Sequence, residues 1–440
     1  MGAFLDKPKT DKVTDKGEGK NGIRYGVSAM QGWRMEMEDA HICNTDFAGS
    51  NAYLKDWAFF GVFDGHAGAK VSQYCAEHLL ESITEEIQKD KEKDKTDSKT
   101  DSKTDLEYAK VGITQGFFSL DKKLRELPQW SSGEDRSGTT AITVMVTPSN
   151  IIWGNCGDSR GLLCRSGKLE FATEDHKPYN TSEKERIEKA GGTVMMQRVN
   201  GSLAVSRALG DFDYKRSADL PDAEQLVSPE PDIKVNGRDE NADEFLFLAC
   251  DGIFDVMTNE EVIAYIQRQL TLTDDLAQIC SNLLDLCLNK NSRDNMSAIL
   301  VTFPSAPKVS QEAIEKNEVL QKKAKEAIEA KIQEYVEVAK DSLDVDEPYV
   351  MQQLINTLPA EYEVPAKRPW ISERLQELRK KKFDEHDLPV DGQFDSNPLY
   401  EPDKDKESSV PTITELPPDE TNSSSDKDKE PEAKDAMDDN

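Results

Sequence analysis

The 440-residue sequence has no Cys-x-x-Cys pair, no basic cluster and no apolar run of membrane-spanning length. Each absence excludes something. Its seven cysteines, at Cys43, Cys75, Cys156, Cys164, Cys250, Cys280 and Cys287, are odd in number and scattered. That spacing excludes a zinc ribbon or a dithiol redox motif, and most of these thiols sit in apolar runs as reduced core residues. No stretch reaches the ~20 apolar residues of a membrane span, and no signal peptide is recognisable. The expected location is therefore cytosolic, with a nuclear fraction allowed. Lys and Arg number 55 against 85 Asp and Glu, a net charge of -30. A nucleic-acid partner would need a basic footprint, and none stands out. Hydrophobic residues are 36% of the chain, low for a wholly globular protein.

That deficit is local. Residues 1–22 are rich in Lys, Asp and Gly and are expected to be flexible. Residues 23–303 carry a normal apolar load and read as the main folded domain. Within them, 89–105 repeats Lys-Thr-Asp-Ser without an apolar residue and reads as a disordered insertion. Residues 304–384 have helical patterning, at Gln311 to Lys340, Pro348 to Leu358 and Ile371 to Lys382. Residues 385–440 are an acidic tail with no means of building a core.

Apolar strands are expected at Trp57 to Phe63, Thr139 to Thr147, Ile151 to Asn155, Gly161 to Arg165, Glu244 to Cys250 and Met296 to Phe303. Pro148-Ser149-Asn150 marks a hairpin between the second and third. Helices are expected over Ala69 to Ile87, Leu106 to Leu127, Glu260 to Leu270 and Asp275 to Leu288. A shorter one covers Ser182 to Ala190, with Ser182 as its cap. Strands in runs with helices grouped between them imply an α+β fold with antiparallel sheet and outer helices.

The chemistry concentrates at strand ends. One apolar strand runs into Asp64-Gly65 and another into Asp251-Gly252. A third runs into Gly157-Asp158-Ser159-Arg160, and Asp294 in Ser292-Arg293-Asp294-Asn295 just precedes a strand. Glu38-Asp39 lie ahead of His41. One Asp-Gly alone is usually a turn. Four acids at strand ends can share a site, and their mutual repulsion is relieved by a divalent cation. Oxygen-only ligands suit Mg2+ or Mn2+ rather than Zn2+. Two such ions could activate water and clamp a phosphoryl group. His66 abuts Asp64-Gly65 as a candidate general acid, against the commoner reading of a structural histidine. Arg34 either pairs a phosphate through its fork or simply pairs the neighbouring acids. Trp153 to Gly157 lacks the Cys-x5-Arg spacing of a thiol phosphatase, so a covalent route is disfavoured.

At these residues the chain resembles the metal-dependent type 2C protein phosphatases, the animal alpha/beta-type members in particular. The match runs through Gln31–Asp39, Phe63–Gly68, Asp135–Thr140, Asn155–Arg160, Gln197–Asp213, Ala249–Asp255 and Ser292–Ser297. It also takes in Met1 to Pro8. The resemblance implies a four-layer α-β-β-α sandwich of two antiparallel sheets flanked by helices, plus a small C-terminal helical domain. It implies a protein serine/threonine phosphatase in which a hydroxide bridging two Mg2+ or Mn2+ ions attacks phosphorus. Asp64 would bridge the ions, Gly65 would ligate through its carbonyl and Glu38 through water. Asp251 and Asp294 would hold the second ion, and Asp158 would join Asp251 at a weaker third position. Arg34 would bind the substrate phosphate and His66 would protonate the leaving oxygen. Arg198 on a flap beside the cleft and Thr139 near the site would assist substrate binding. Partners would be phosphorylated proteins, and a monomer is expected. Gly2 would be myristoylated, giving a membrane-associated fraction, although Asp6 stands where the acylation pattern has Ser or Thr. The insertion at 89–105 and the acidic tail depart from the family pattern. Two other classes fit parts of the sequence. A catalytically dead cation-binding or scaffold protein acting through its acidic tail is opposed by the intact set Asp64, Asp251 and Asp294, and a two-metal nuclease would sit poorly on an acidic surface.

Overall fold

Two-residue alternation along the apolar strands decides the layering. β4 (Ala58–Phe63) is buried on both faces, with Phe60 and Val62 pointing one way and Phe59 and Phe63 the other. β15 (Asp243–Ala249) and β16 (Met296–Thr302) divide likewise: Leu246, Leu248, Ile299 and Val301 face one side, and Phe245, Phe247, Ala298 and Leu300 the other. Strands covered on both faces must lie between further layers. A computed structural model of the chain supplies them, and it describes residues 4–19, 22–45, 54, 56–96, 103–338 and 347–385.

One sheet runs β1 (Phe4–Glu18), β2 (Arg24–Arg34), β16, β15, β9 (Arg160–Arg165), β10 (Lys168–Ala172). The other runs β14 (Asp232–Gly237), β8 (Asn150–Cys156), β7 (Ala141–Val146), β4, β3 (Ala40–Asn44). Every pairing in them is antiparallel. The central core joins the sheets through Phe60, Val144, Trp153, Leu246 and Ile299. Outside the five-stranded sheet lie α1 (Lys70–Thr96) and α2 (Asp105–Glu126), whose Leu79, Ile83 and Phe117 pack on Phe59 and Met145. Outside the six-stranded sheet lie α6 (Asn259–Leu270) and α7 (Leu276–Asn289), which set Ile266 and Leu283 on Phe247 and Leu300. Truncating one such buried Phe to Ala costs about 3–5 kcal/mol. The architecture is thus an α+β sandwich of antiparallel sheets flanked by helices. The C-terminal helices α8 (Gln311–Val338), α9 (Glu347–Thr357) and α10 (Arg368–Glu385) share a small core of Ile328, Ile332, Val350, Leu354 and Ile371. Arg268 on α6 reaches them through an ion pair with Glu363 at 2.5 Å.

Local chemistry sets the ends. Thr104 and Glu107 form a capping box at the start of α2, and Thr258 and Glu261 do the same for α6. After α2 the chain makes a single further turn, α3 (Pro128–Ser131). Short strands complete the frame: β5 (Gly65–His66), β6 (Gly138–Thr139) and β13 (Leu209–Gly210) form one ladder, and β11 (Val194–Met195) and β12 (Arg198–Val199) another. Two further helices are α4 (Thr181–Lys189) and the single turn α5 (Asp251–Phe254).

Three expectations are corrected. The N-terminal segment is a strand: β1 pairs along β2 from Phe4 opposite Arg34 to Glu18 opposite Arg24. Backbone bonds to a buried neighbour hold it, with Lys12 on Asp285 and Lys16 on Asp275, both at 2.7 Å, so it needs no apolar face of its own. The insertion is partly helical. α1 continues to Thr96, and Lys91, Asp94 and Lys103 gather on Tyr108. Finally, α4 starts at Thr181 after Asn180, and Ser182 is not its cap. Gly2 and the tail from residue 386 lie outside the described residues.

Candidate active site

Antiparallel pairing brings the relevant strand ends to one edge. Arg34 closes β2, Asp39 precedes β3, Asp64 follows β4, Asp158 follows β8, Asp251 follows β15 and Asp294 precedes β16. Two glycines let these segments close up. A Cβ on Gly65 would lie 2.3 Å from the Glu38 carbonyl oxygen, and one on Gly252 would lie 2.2 Å from that of Asn295. Backbone atoms cannot yield as a flexible side chain can, so each Asp-Gly is sterically required here.

The acids repel one another. Burial, then Asp39, Asp251, Asp158 and Asp294, push the Asp64 carboxyl well above the usual range. Burial, then Asp158 and Asp294, do the same to Asp251, with Lys177 partly opposing them. Burial pushes Asp39 up to about 7 despite the hydrogen bond from Ser297. Its Oδ1 is buried without a hydrogen-bond partner. Oxygens of Asp39 and Asp64 and the sulfur of Cys250 lie within 4.8 Å of one another. Burial holds Cys250 well above the ordinary thiol value, so it stays protonated and takes a hydrogen bond from the Ser297 amide. What remains available is a set of crowded carboxylate oxygens with one orphaned acceptor. Such a set fits a hard divalent cation. Asp251, Asp158 and Asp294 lie close enough to act on the Asp64 carboxyl through their charges.

Each remaining candidate has a definite place. Arg34 donates to Asp294 at 2.5 Å, and its side chain is 37% exposed. Burial pulls its pKa down, but Asp294, then Asp64 and Asp251, more than restore it. Glu38 accepts from the Gly68 amide at 2.5 Å, and its own amide donates to Asn295 at 2.8 Å. His66 Nε2 lies 2.7 Å from Asp211 Oδ2. Burial would lower the imidazole, yet Asp211 raises it above the ordinary histidine value. Arg198, exposed on β12, donates to the Ser202 carbonyl at 2.8 Å. Thr139 is fully buried, its hydroxyl donates to the Thr140 carbonyl, and it pairs with Gly65 next to Asp64.

Two functional residues escaped the sequence reading. Asp211 is held at positive φ between β13 and the following turn, behind His66. Gly138 lets the pair meet, since a Cβ there would lie 2.3 Å from Asp211 Oδ2 and 2.5 Å from His66 Nε2. Lys177 pairs with Asp158 at 2.5 Å. His176 steadies that loop by accepting from the Gly157 amide at 3.1 Å. A polar residue beside a glycine turn was the available signal for Asp211, and a lysine in a loop gave none for Lys177.

Residues 23–296 match the family model described as Protein phosphatase 2C. Residues 297–376 match Protein serine/threonine phosphatase 2C, C-terminal domain. Protein phosphatase 1A of Mus musculus is 49% identical over 387 residues, 88% of this chain and 98% of that relative. Protein phosphatase 1B of Homo sapiens is 51% identical over 354 residues, 80% of this chain and 71% of that relative. A solved phosphatase from a pathogenic strain of Toxoplasma gondii is 28% identical with a TM-score of 0.53, covering 67% of this chain and 96% of that one.

Proposed function

The chain belongs to the protein phosphatase 2C family and is a protein serine/threonine phosphatase, and we propose that Arg34, His66 and the acid cluster hydrolyse phosphoserine and phosphothreonine in one direct displacement. The observation that carries this reading is the buried set of carboxylates that raise one another's pKa. Two Mg2+ or Mn2+ ions, with a weaker third, would be held by Asp64, Gly65, Asp251, Asp294, Asp158 and, through water, Glu38. Bound there, they supply Lewis acidity toward water and phosphoryl oxygen.

The chain's own groups do the rest. Arg34 is open enough to turn its free donors to the phosphoryl oxygens while Asp294 anchors it. Water oxygen bonds phosphorus as the bond to the Ser or Thr oxygen breaks. His66 hands its proton to that departing oxygen. Asp211 engages Nε2, so Nδ1 is the atom able to give the proton, and the carboxylate outweighs burial to favour the protonated imidazole. Lys177 balances Asp158 at the edge of the cluster.

The same reading takes the protein as a cytosolic monomer with a nuclear fraction, and as myristoylated at Gly2 with some membrane association. Seven free cysteines support a reducing compartment. No helix among the described residues is long and apolar enough to cross a membrane.

Asp64→Ala and Asp251→Ala are each expected to lower phosphopeptide turnover with Mn2+ by about a thousandfold, with circular dichroism unchanged. Wild-type turnover that persists in excess EDTA would contradict the proposal.

A further inference from the structure

We propose that a basic pocket beside His66, lined by Arg125, Arg136 and Arg216, receives a second negative group of the phosphoprotein substrate, carried close in sequence to the residue being dephosphorylated. The ligand chemistry is an anionic oxygen group, either a carboxylate side chain or a second phosphate. The inference rests on the phosphatase reading above.

The pocket is a cavity of about 350 Å3 between the end of α2, α3 and the turn after β13. Its walls are continuous with the two segments that clamp His66. Phe212 and Asp213 directly follow Asp211, the partner of His66. Asp135 and Arg136 lead into Gly138, whose Cα packs against both members of that pair. His66 is where the leaving oxygen takes its proton, so the substrate's flanking residues extend from that side. The cavity lining begins at Phe212, one residue along the chain from Asp211.

The charges are unevenly matched. Arg136 and Arg216, 71% and 72% exposed, both lean on the single carboxylate of Asp213, the former at 3.4 Å. Asp135 is already taken by Lys70 at 3.0 Å and by the Ser137 amide at 2.9 Å. Lys215 is taken by Asp121 at 2.7 Å. Arg125 lies 5.2 Å from the Phe212 ring and gives one bond to the Lys215 carbonyl. Two guanidinium groups with spare donors therefore share one carboxylate, and Arg125 lines the same cavity beside them. In a chain of net charge -30 this concentration is local and directed. An isolated exposed arginine would be only a solvated side chain. Here the arginines line a concavity whose wall continues the segment that holds Asp211.

The test uses phosphoserine peptides in which one flanking position at a time, within about three residues, holds Ala, Glu or a non-hydrolysable phosphonate. Assays run at ~0.15 M salt, where repulsion by distant charges is screened beyond ~8 Å. With wild-type protein and Mn2+, an acidic group at one or more positions should raise kcat/KM about tenfold over Ala, the effect of two charge-assisted bonds at an exposed site. Arg136→Ala/Arg216→Ala should abolish that gain while turnover of p-nitrophenyl phosphate and of the Ala peptide stays within about twofold. A larger gain with phosphonate identifies a second phosphate as the ligand, and an equal gain an acidic residue. The proposal is overturned if no acidic peptide exceeds its Ala counterpart, or if the double variant keeps the gain. Failure to hydrolyse even the Ala peptide would instead sink the phosphatase reading.

Discussion

His66 and Asp211 show how one contact can set the role of a histidine. The carboxylate stands 2.7 Å from Nε2 and reverses the lowering that burial would impose. If the pair exists to protonate a poor leaving group, its worth depends on the substrate. Asp211→Asn should reduce kcat on a phosphoserine peptide by about 100-fold, the lower range for general acid catalysis. On p-nitrophenyl phosphate, whose leaving group departs without a proton, the loss should stay within about threefold. Equal losses on both substrates would show that Asp211 only shapes the cleft. The acids at strand ends were legible in the sequence because a buried apolar run followed by Asp-Gly marks both an end and a turn. Asp211 and Lys177 were not, because each sits in irregular chain and acquires its role from a contact distant in sequence.

At the scale of elements, the segment around α4 is held by charge more than by apolar surface. Glu183 accepts from Arg207 at 2.8 Å and Arg186 at 2.7 Å, and Ser206 adds a bond at 2.6 Å. Burial alone would raise the Glu183 carboxyl; the two arginines bring it down to about 2. A depressed carboxylate contributes stability that is complete above its unfolded value of 4.5 and is lost as pH falls toward 2. Glu183→Gln should therefore destabilise the protein at pH 7 by at most about 3 kcal/mol. The gap from wild type should narrow between pH 5 and pH 3. Urea unfolding at those pH values measures it, and a gap that does not change with pH would show that the ion pairs contribute nothing. The same scale explains what the sequence hid in β1. Lys, Asp and Thr gave it no apolar periodicity, yet main-chain pairing to β2 and the ion pairs at Lys12 and Lys16 hold it at the sheet edge. Elements with buried faces, such as β4, β15 and α7, were legible because their side chains carry the information that β1 keeps in its backbone.

For the whole molecule the governing quantity is charge. Residues 386–440 hold 17 acidic and 5 basic residues, so removing them takes the net charge from -30 to -18. Phosphopeptides are anions, and a strongly negative chain slows their approach through the summed field, a rate effect that salt removes. A chain ending at Glu385 should thus show higher kcat/KM than the full chain on an acidic phosphopeptide at about 10 mM salt, by roughly two- to fivefold. Above about 0.3 M salt the two should converge. On p-nitrophenyl phosphate at saturating concentration they should have the same kcat, since the acid cluster, Arg34 and His66 are all retained. A tail that lowered kcat as well, or acted equally at high salt, would be occupying the cleft instead of repelling the substrate at a distance. The comparison also bears on the basic pocket, because a local cluster of arginines matters most in a protein whose far field opposes its own substrate.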